Sequence, residues 1–430
     1  MIARRLGLLD VLAIGVNAIV GSGVFSMPDD MQRKMGGFSP LAYLLCALVL
    51  IPVALCFAEL STRDDKNGGP YLYARRAFGA QVGFVVGWAC YLNAFISFAA
   101  NATQFVDFAG LGSSWLFRPV VVASVLGLGA IIYIGVRPGA FVVRLMTVGK
   151  LVAIFAFVGV AVMAFDPSRL GGALPHGTAG VANGVYLALF PLQGFEVVCV
   201  PAGETTKPKR NVPIATVGSL LFAALLYVVV QAVLVGSYPN LGAESGTPLV
   251  DAAKYLAPAL GVIVLVGSIV SVGGFTAGSA LGTPRYGQAM ADAGELPQAM
   301  ARTHPRFETP HVAIAVTTVL TACLGAIFTY KELVSFSNVC VVFQYAITCA
   351  AVPVLRKKDL GLRRMEEPAH GGFRVPFGPV LPIVGALGSV LLLYGCELQE
   401  LYLAAGGIAL GVVVRAITRR LEVGTKPAVP

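Results

Sequence analysis

Twelve long apolar stretches alternate with short polar segments along the chain. Each stretch is continuously apolar over about 18 residues or more, as a bilayer-spanning helix requires, whereas the strands of a membrane barrel alternate over about ten residues. We therefore predict an all-α integral membrane protein with 12 transmembrane helices. The stretches lie at 8–34, 40–60, 81–110, 117–136, 141–165, 180–200, 213–237, 257–281, 311–329, 333–355, 377–396 and 400–417.

The composition agrees with a chain that lies in a bilayer. Of its 430 residues, 57% are apolar and only 12% are charged, which excludes a soluble cytosolic enzyme. The eight cysteines lie inside or beside apolar stretches, so no disulfide framework is expected, and the four histidines lack metal-ligand spacing. No small-residue cleavage site accompanies the first stretch, so we predict a retained helix rather than a signal peptide.

Lysine and arginine are distributed unequally between the two sides of the predicted membrane. An even number of spans places both termini on one side, and most of the 31 Lys and Arg residues lie there. Because positively charged loops stay in the cytoplasm, we predict a multi-pass protein with both termini cytoplasmic. This topology accounts for the net charge of +9 without a nucleic-acid partner. The basic residues on the opposite side are Arg33, Lys34, Arg118, Arg169, Lys254 and Lys331.

Two of the predicted spans carry helix-breaking residues near their middle. The first contains Gly21-Ser22-Gly23-Val24-Phe25, and the sixth contains Phe190-Pro191-Leu192-Gln193-Gly194-Phe195-Glu196. Breaks five spans apart predict two inverted repeats, at 1–165 and 175–355, followed by two further helices at 376–420, all within a single transporter domain. Taken alone, the glycine pair of the first span is equally consistent with close packing of small residues.

Broken helices of this kind predict a binding site for a small zwitterion. Half-helix N-termini offer free N–H groups and a positive dipole end to a carboxylate, and unwound carbonyls can receive an ammonium group. The glycine-rich segment 15–23 lacks the spacing of a dinucleotide or phosphate loop, and no hydrolase or metalloprotease signature occurs. We therefore predict a transporter rather than an enzyme, with no cofactor.

Several longer motifs resemble bacterial members of the amino acid–polyamine–organocation transporter superfamily. The resemblance implies the leucine-transporter-like fold, with helices 1 and 6 broken, and secondary active transport of amino acids across the bacterial cytoplasmic (inner) membrane by alternating access. An amino acid/polyamine exchanger that uses the same site is the alternative. A sensing receptor or a channel is disfavoured. The matching pieces are NAIVGSGVF from Asn17, CFAELS from Cys56, GGPYLYARRAFG from Gly68, Phe190–Glu196, KPKRNVPIAT from Lys207, and the segment Thr283–Pro310.

The resemblance assigns the two ends of the substrate to the two breaks. Ser22 and Gly23, with the neighbouring backbone of Ile19, are expected to hold the carboxylate. Carbonyl groups between Phe190 and Gly194 are expected to receive the ammonium group. The partners implied are a small-molecule amino acid and membrane lipid; the oligomeric state, monomer or homodimer, stays open.

Three side chains near the breaks carry further predictions from the same resemblance. Phe190 falls where the family has an aromatic that covers the substrate, and Phe275 falls near an aromatic position of the arginine exchangers. Ordinary packing is the alternative for both rings. Glu196 is either a direct ligand or a structural hydrogen-bond acceptor that ties the unwound backbone together. The third span presents a mostly apolar wall at this depth, with Tyr91, Asn93, Ala94 and Phe98.

Lys150 is the candidate for ion coupling. It lies in the fifth span, where a buried lysine loses its proton readily because burial disfavours the charged form. The resemblance implies that its ammonium group takes the position of the sodium ion in sodium-coupled relatives, so we expect proton coupling and no sodium. Ser271 or Thr276 of the eighth span would supply a hydroxyl group to this region. Snorkelling of Lys150 to the cytoplasmic interface is the alternative.

Overall fold

A computed structural model describes residues 6–63, 69–135, 140–200, 202–243, 245–362 and 372–425. Within these ranges the chain is helical, and the only extended pairings are two isolated bridges. Sixteen α-helices follow one another: α1 Leu8–Ile19, α2 Gly23–Ser26, α3 Pro28–Met35, α4 Pro40–Arg63, α5 Gly69–Phe78, α6 Ala80–Val106, α7 Phe117–Tyr133, α8 Ala140–Ala161, α9 Gly177–Leu192, α10 Pro208–Ser237, α11 Pro248–Leu256, α12 Pro258–Asp292, α13 His311–Ile327, α14 Tyr330–Leu362, α15 Val380–Leu392 and α16 Leu398–Thr425.

Nine helical segments in the described part of the chain are long and apolar enough to cross a membrane. Three shorter apolar helical segments, Phe117–Tyr133, His311–Ile327 and Val380–Gly395, coincide with the remaining predicted stretches. The largest difference is at α12, which continues to Asp292 although hydropathy predicts an end at 281. Hydropathy detects the part of a helix that lies in hydrocarbon. It does not detect a polar extension of the same helix.

Two of the apolar segments are interrupted where the sequence predicts it. Helix α1 ends at Ile19, and α2 begins at Gly23 after three residues that belong to neither helix. Helix α9 ends at Leu192, and a 3₁₀ turn, Phe195–Cys199, follows Gln193 and Gly194. Below, break 1 means residues 20–22 together with the first residues of α2, and break 2 means Gln193 and Gly194 together with the last turn of α9.

The helices pack as pairs around these breaks. Helix α4 packs on α10, α6 on α12, and α7 on α13, while α1 lies against α10 and α9 lies against α4. Helices α8 and α14 pack on α12 and α6 respectively, and α15 covers α4 and α14. Residues 20–22 and 193–194 are buried within this packing.

Helix α8 illustrates how the fold separates apolar and polar side chains. Leu145, Val148, Val152 and Phe155 are more than half exposed on one face, whereas Lys150 on another face is fully buried. An outward apolar surface with polar groups inside is the reverse of a soluble protein and suits a lipid environment. Together with the number of apolar helices, this arrangement describes a multi-pass membrane protein.

Candidate functional site

The two breaks touch each other. A Cβ atom built on Gly23 would lie 2.5 Å from Cβ of Pro191, in the last turn of α9. Gly194 has a φ of +116°, which favours glycine, and a Cβ atom there would lie 2.6 Å from the carbonyl oxygen of Ala18 in α1. Two glycines therefore allow the backbone of each break to approach the opposite helix.

Break 1 presents backbone donors. The N–H of Ser22 donates to Oδ1 of Asn101 in α6 at 3.2 Å. The N–H groups of Gly23 and Val24 begin α2, and no acceptor for them is found among the described residues. The first N–H groups of a helix carry its positive dipole end, so this end of α2 is suited to an anionic group.

Break 2 presents backbone acceptors. Within the described chain, the carbonyl groups of Phe190 and Pro191, at the C-terminal end of α9, receive no hydrogen bond. The last carbonyls of a helix carry its negative dipole end and suit a cation. Because Pro191 lies against Gly23, the acceptor end of α9 and the donor end of α2 adjoin, as a bound zwitterion would require.

Glu196 stabilises break 2 directly. Its Oε2 accepts a hydrogen bond from the N–H of Gly194 at 2.9 Å and another from the hydroxyl of Tyr345 at 2.8 Å. The side chain is buried. This geometry agrees with the structural alternative that the sequence left open, in which the carboxylate ties the unwound backbone together.

Ile19 does not fit the role predicted for it. Its carbonyl oxygen accepts a hydrogen bond from the hydroxyl of Tyr227 in α10 at 3.0 Å and another from the N–H of Gly21. A carbonyl group cannot donate to a carboxylate, and the Ile19 N–H lies within helix α1. The donors of break 1 are instead those at the start of α2.

Phe190 and Ser22 share a partner that the sequence did not reveal. The ring of Phe190 packs edge-on against Tyr330, with centroids 6.1 Å apart, and the Tyr330 hydroxyl is 2.9 Å from Oγ of Ser22. Tyr330 begins α14 and carries no motif, so only the fold brings it here. Phe275 adjoins break 1 at Gly21, where an added Cβ atom would be 3.4 Å from its ring.

The wall that α6 presents to the breaks is polar. Asn93, Ser97 and Asn101 recur every fourth residue and so share one face of the helix. Ser97 and Asn93 bond to Ser337 of α14, and Asn101 bonds to break 1. The expected apolar wall was wrong in this respect: the Tyr91 hydroxyl bonds to Thr317 of α13, and Phe98 joins a separate cluster beside α7.

Lys150 reaches break 1 from α8. Its Nζ donates to the carbonyl oxygen of Val20 at 2.6 Å and approaches that of Asn17 at 3.4 Å. The side chain is 0% exposed, so it does not snorkel to an interface. No carboxylate lies within ion-pair distance of it among the described residues.

Only one of the two candidate hydroxyl groups joins Lys150. Oγ of Ser271 shares its one proton between the carbonyl oxygens of Val20 and Gly21, at 3.1 and 3.2 Å. The hydroxyl of Thr276 donates instead to Val272 within its own helix, at 2.6 Å. Lys150 and Ser271 thus both bond to carbonyl groups of break 1, whereas Thr276 does not.

Contacts join distant segments of the chain on both sides of the breaks. On one side, Lys331 at the start of α14 forms an ion pair with Asp30 of α3 at 2.9 Å. On the other, the N–H of Leu6 donates to the carbonyl of Glu204 at 3.1 Å, and the N–H of Thr206 donates to that of Leu6 at 2.8 Å. These contacts tie α3 to α14, and the segment before α1 to the segment before α10.

Comparison with known proteins gives similarity along nearly the whole length of the chain. A family model described as "Amino acid permease" matches residues 6–405. The branched-chain amino acid permease BcaP of Bacillus subtilis (strain 168) is 25% identical over 414 residues, 91% of this chain and 87% of BcaP. The serine/threonine exchanger SteT of the same organism is 29% identical over 408 residues, 91% of this chain and 90% of SteT. The methylthioribose transporter of Bacillus subtilis (strain 168) is 25% identical over 406 residues, 90% of this chain and 87% of that transporter.

Proposed function

This chain belongs to the amino acid permease family, and from this premise we propose that it carries amino acids across a membrane as a secondary transporter that works by alternating access. Its relatives are permeases and transporters rather than enzymes. The observation that carries the proposal is the contact of Gly23 with Pro191, which joins the donor end of α2 to the acceptor end of α9. An amino acid offers the complementary carboxylate and ammonium groups.

The proposed architecture has 12 transmembrane helices in two inverted repeats of five, followed by two more. Equivalent positions of the two halves pair with each other, because α4 packs on α10, α6 on α12 and α7 on α13. The contact of α8 with α12 is matched by that of α14 with α6, and the contact of α1 with α10 by that of α9 with α4. This reciprocity, with one broken helix at the start of each half, supports the repeat.

In the proposed binding mode, the N–H groups of Gly23 and Val24 receive the substrate carboxylate, and the free carbonyls of Phe190 and Pro191 receive the ammonium group. Phe190 packs over this region together with Tyr330, which adds an aromatic cover. The Ser22 hydroxyl, bonded to Tyr330, then links substrate binding at break 1 to α14.

We propose that protons drive this transport and that Lys150 carries the coupling. Its Nζ and the Ser271 hydroxyl both hold the carbonyl of Val20, so a change in the lysine's charge alters the support of break 1. The family resemblance places the ammonium group where sodium-coupled relatives bind sodium, and here it occupies the carbonyl oxygen of Val20. The alternative is an exchanger with the same site; SteT is named an exchanger and BcaP a permease.

Transport into liposomes tests the function. The purified protein, reconstituted with an acidic exterior, is expected to accumulate a radiolabelled amino acid above its external concentration, and collapse of the pH gradient is expected to release it. Liposomes without protein and replacement of sodium by potassium are the controls. Exchange of internal for external substrate without accumulation favours the exchanger; failure to move any of the common amino acids contradicts the proposed function.

Both termini are proposed to lie in the cytoplasm of a bacterium, with the protein in its inner membrane. Two basic residues assigned to the opposite side lie together, since Lys331 and Arg33 both pair with Asp30. A cysteine-free variant with one cysteine at Ser245, which is exposed beside α3, is expected to react with an impermeant maleimide from outside intact cells. A cysteine at Arg302 serves as the control and should react only after permeabilisation. The reverse pattern would overturn this topology.

A further inference from the structure

A chain of polar side chains runs from break 2 into the space between α6 and α14. Nε2 of Gln193 donates to Oγ of Ser337 at 3.1 Å, and Ser337 donates in turn to Oδ1 of Asn93 at 2.5 Å. A hydroxyl group has one proton to donate. Because that proton is directed to Asn93, the Gln193 amide must turn its N–H to Ser337, and its oxygen points elsewhere.

That oxygen is unused. Oε1 of Gln193 is buried without a hydrogen-bond partner in the described part of the chain, and the whole side chain is only 7% exposed. A buried acceptor without a donor is costly, so such an atom at a binding site points to a ligand group that completes it. Gln193 lies in break 2 itself, two residues after Pro191, whose carbonyl is free for an ammonium group.

The surroundings decide which ligand group fits this acceptor. A cationic side chain would need a counter-charge at this acceptor, and among the described residues the only polar partner of the Gln193 side chain is the neutral Ser337. An aliphatic side chain would leave Oε1 of Gln193 without a donor. A neutral hydroxyl group supplies one donor and no charge.

We propose that Oε1 of Gln193 recognises the side-chain hydroxyl of the substrate, and that the substrate class is small hydroxylated amino acids such as serine and threonine. This proposal rests on the proposed function, since it concerns the same site. Gln193 is then a specificity-determining residue, and Ser337 and Asn93 position its amide.

Threonine and valine provide the test, because they differ by a hydroxyl in place of a methyl group. Binding to the purified wild-type protein is measured by competition against a bound radiolabelled amino acid. We expect threonine to bind at least about tenfold more tightly than valine, since valine leaves the acceptor unpaired. Equal binding of the two, tighter binding of valine, or binding of neither while a different amino acid binds overturns the proposal and leaves amino acid transport intact.

Substitution of the amide provides a second test. Gln193→Met keeps the length of the side chain but removes the acceptor, so the preference for threonine over valine is expected to fall to about twofold or less. Gln231→Met is the matched control, because Gln231 in α10 is also a buried amide with an unpartnered Oε1 but bonds to Pro28 and Ser39. A preference that persists in Gln193→Met overturns the assignment, and the wild-type comparison stands even if that variant does not fold.

Discussion

Lys150→Ala is expected to abolish the dependence of amino acid uptake on the pH gradient. In the wild type, uptake should rise as the external pH falls, because a proton enters with the substrate. Lys150 is fully buried, and its Nζ donates to the carbonyl of Val20 at 2.6 Å, so its protonation acts directly on break 1. Among the described residues, alanine leaves only Ser271 bonded to that carbonyl and no titratable side chain on it. Initial rates in liposomes at several external pH values and one internal pH measure the effect.

The matched control is Lys254→Ala. Lys254 lies in the last turn of α11 and is more than half exposed beside Asp251, so its removal should leave the pH profile unchanged. Folding of both variants is checked by gel filtration and by binding of a substrate at fixed pH. If Lys150→Ala retains the wild-type pH profile, another group carries the proton and the coupling proposal is wrong.

The parts of the fold that hydrophobicity controls could be predicted from the sequence. The apolar stretches coincide with the apolar helices because hydrocarbon requires a nearly uninterrupted run of apolar residues. Both breaks could be located as well, since glycine and proline in the middle of such a run destabilise a continuous helix. The predicted segment 21–25 overlaps the observed interruption at 20–22, and the predicted segment 190–196 contains the interruption at 193–194.

The side of each helix that faces the breaks could not be predicted from hydropathy. Most residues of α6 are buried, so little of the helix faces lipid to mark its orientation. Its polar residues Asn93, Ser97 and Asn101 were therefore not recognised as the face beside the breaks. Hydropathy distinguishes lipid from protein surroundings, but it cannot distinguish one protein neighbour from another.

Partners that are distant along the chain were also missed. Tyr330 meets Ser22 across 308 residues, and Tyr227 meets Ile19 across 208. Neither tyrosine belongs to a motif, and each is defined only by the packing of α14 or α10. The sequence also could not distinguish Ser271 from Thr276 as the partner of break 1. The two hydroxyl groups lie on one helix and donate to different acceptors.

Gly23→Ala is expected to weaken substrate binding by roughly 5- to 150-fold. The added methyl group would lie 2.5 Å from Cβ and 2.9 Å from Cα of Pro191, too close for either break to keep its place. Overpacking of this kind costs about 1–3 kcal/mol, and here it moves the donors of α2 away from the acceptors of α9. Gly23→Leu should abolish binding altogether. Equilibrium binding to the detergent-purified protein measures both variants.

Gly127→Ala is the control that separates this local effect from a general loss of glycine. Gly127 lies in α7, and a Cβ atom there would have none of the described neighbouring atoms within 4 Å. Alanine at this position should therefore leave binding unchanged and slightly favour the helix. A Gly23→Ala protein that is monodisperse, as stable as the wild type and still binds with normal affinity would mean that the junction of α2 and α9 does not hold the substrate. The binding site would then have to lie away from the two breaks, because the donors and acceptors that meet there depend on this contact.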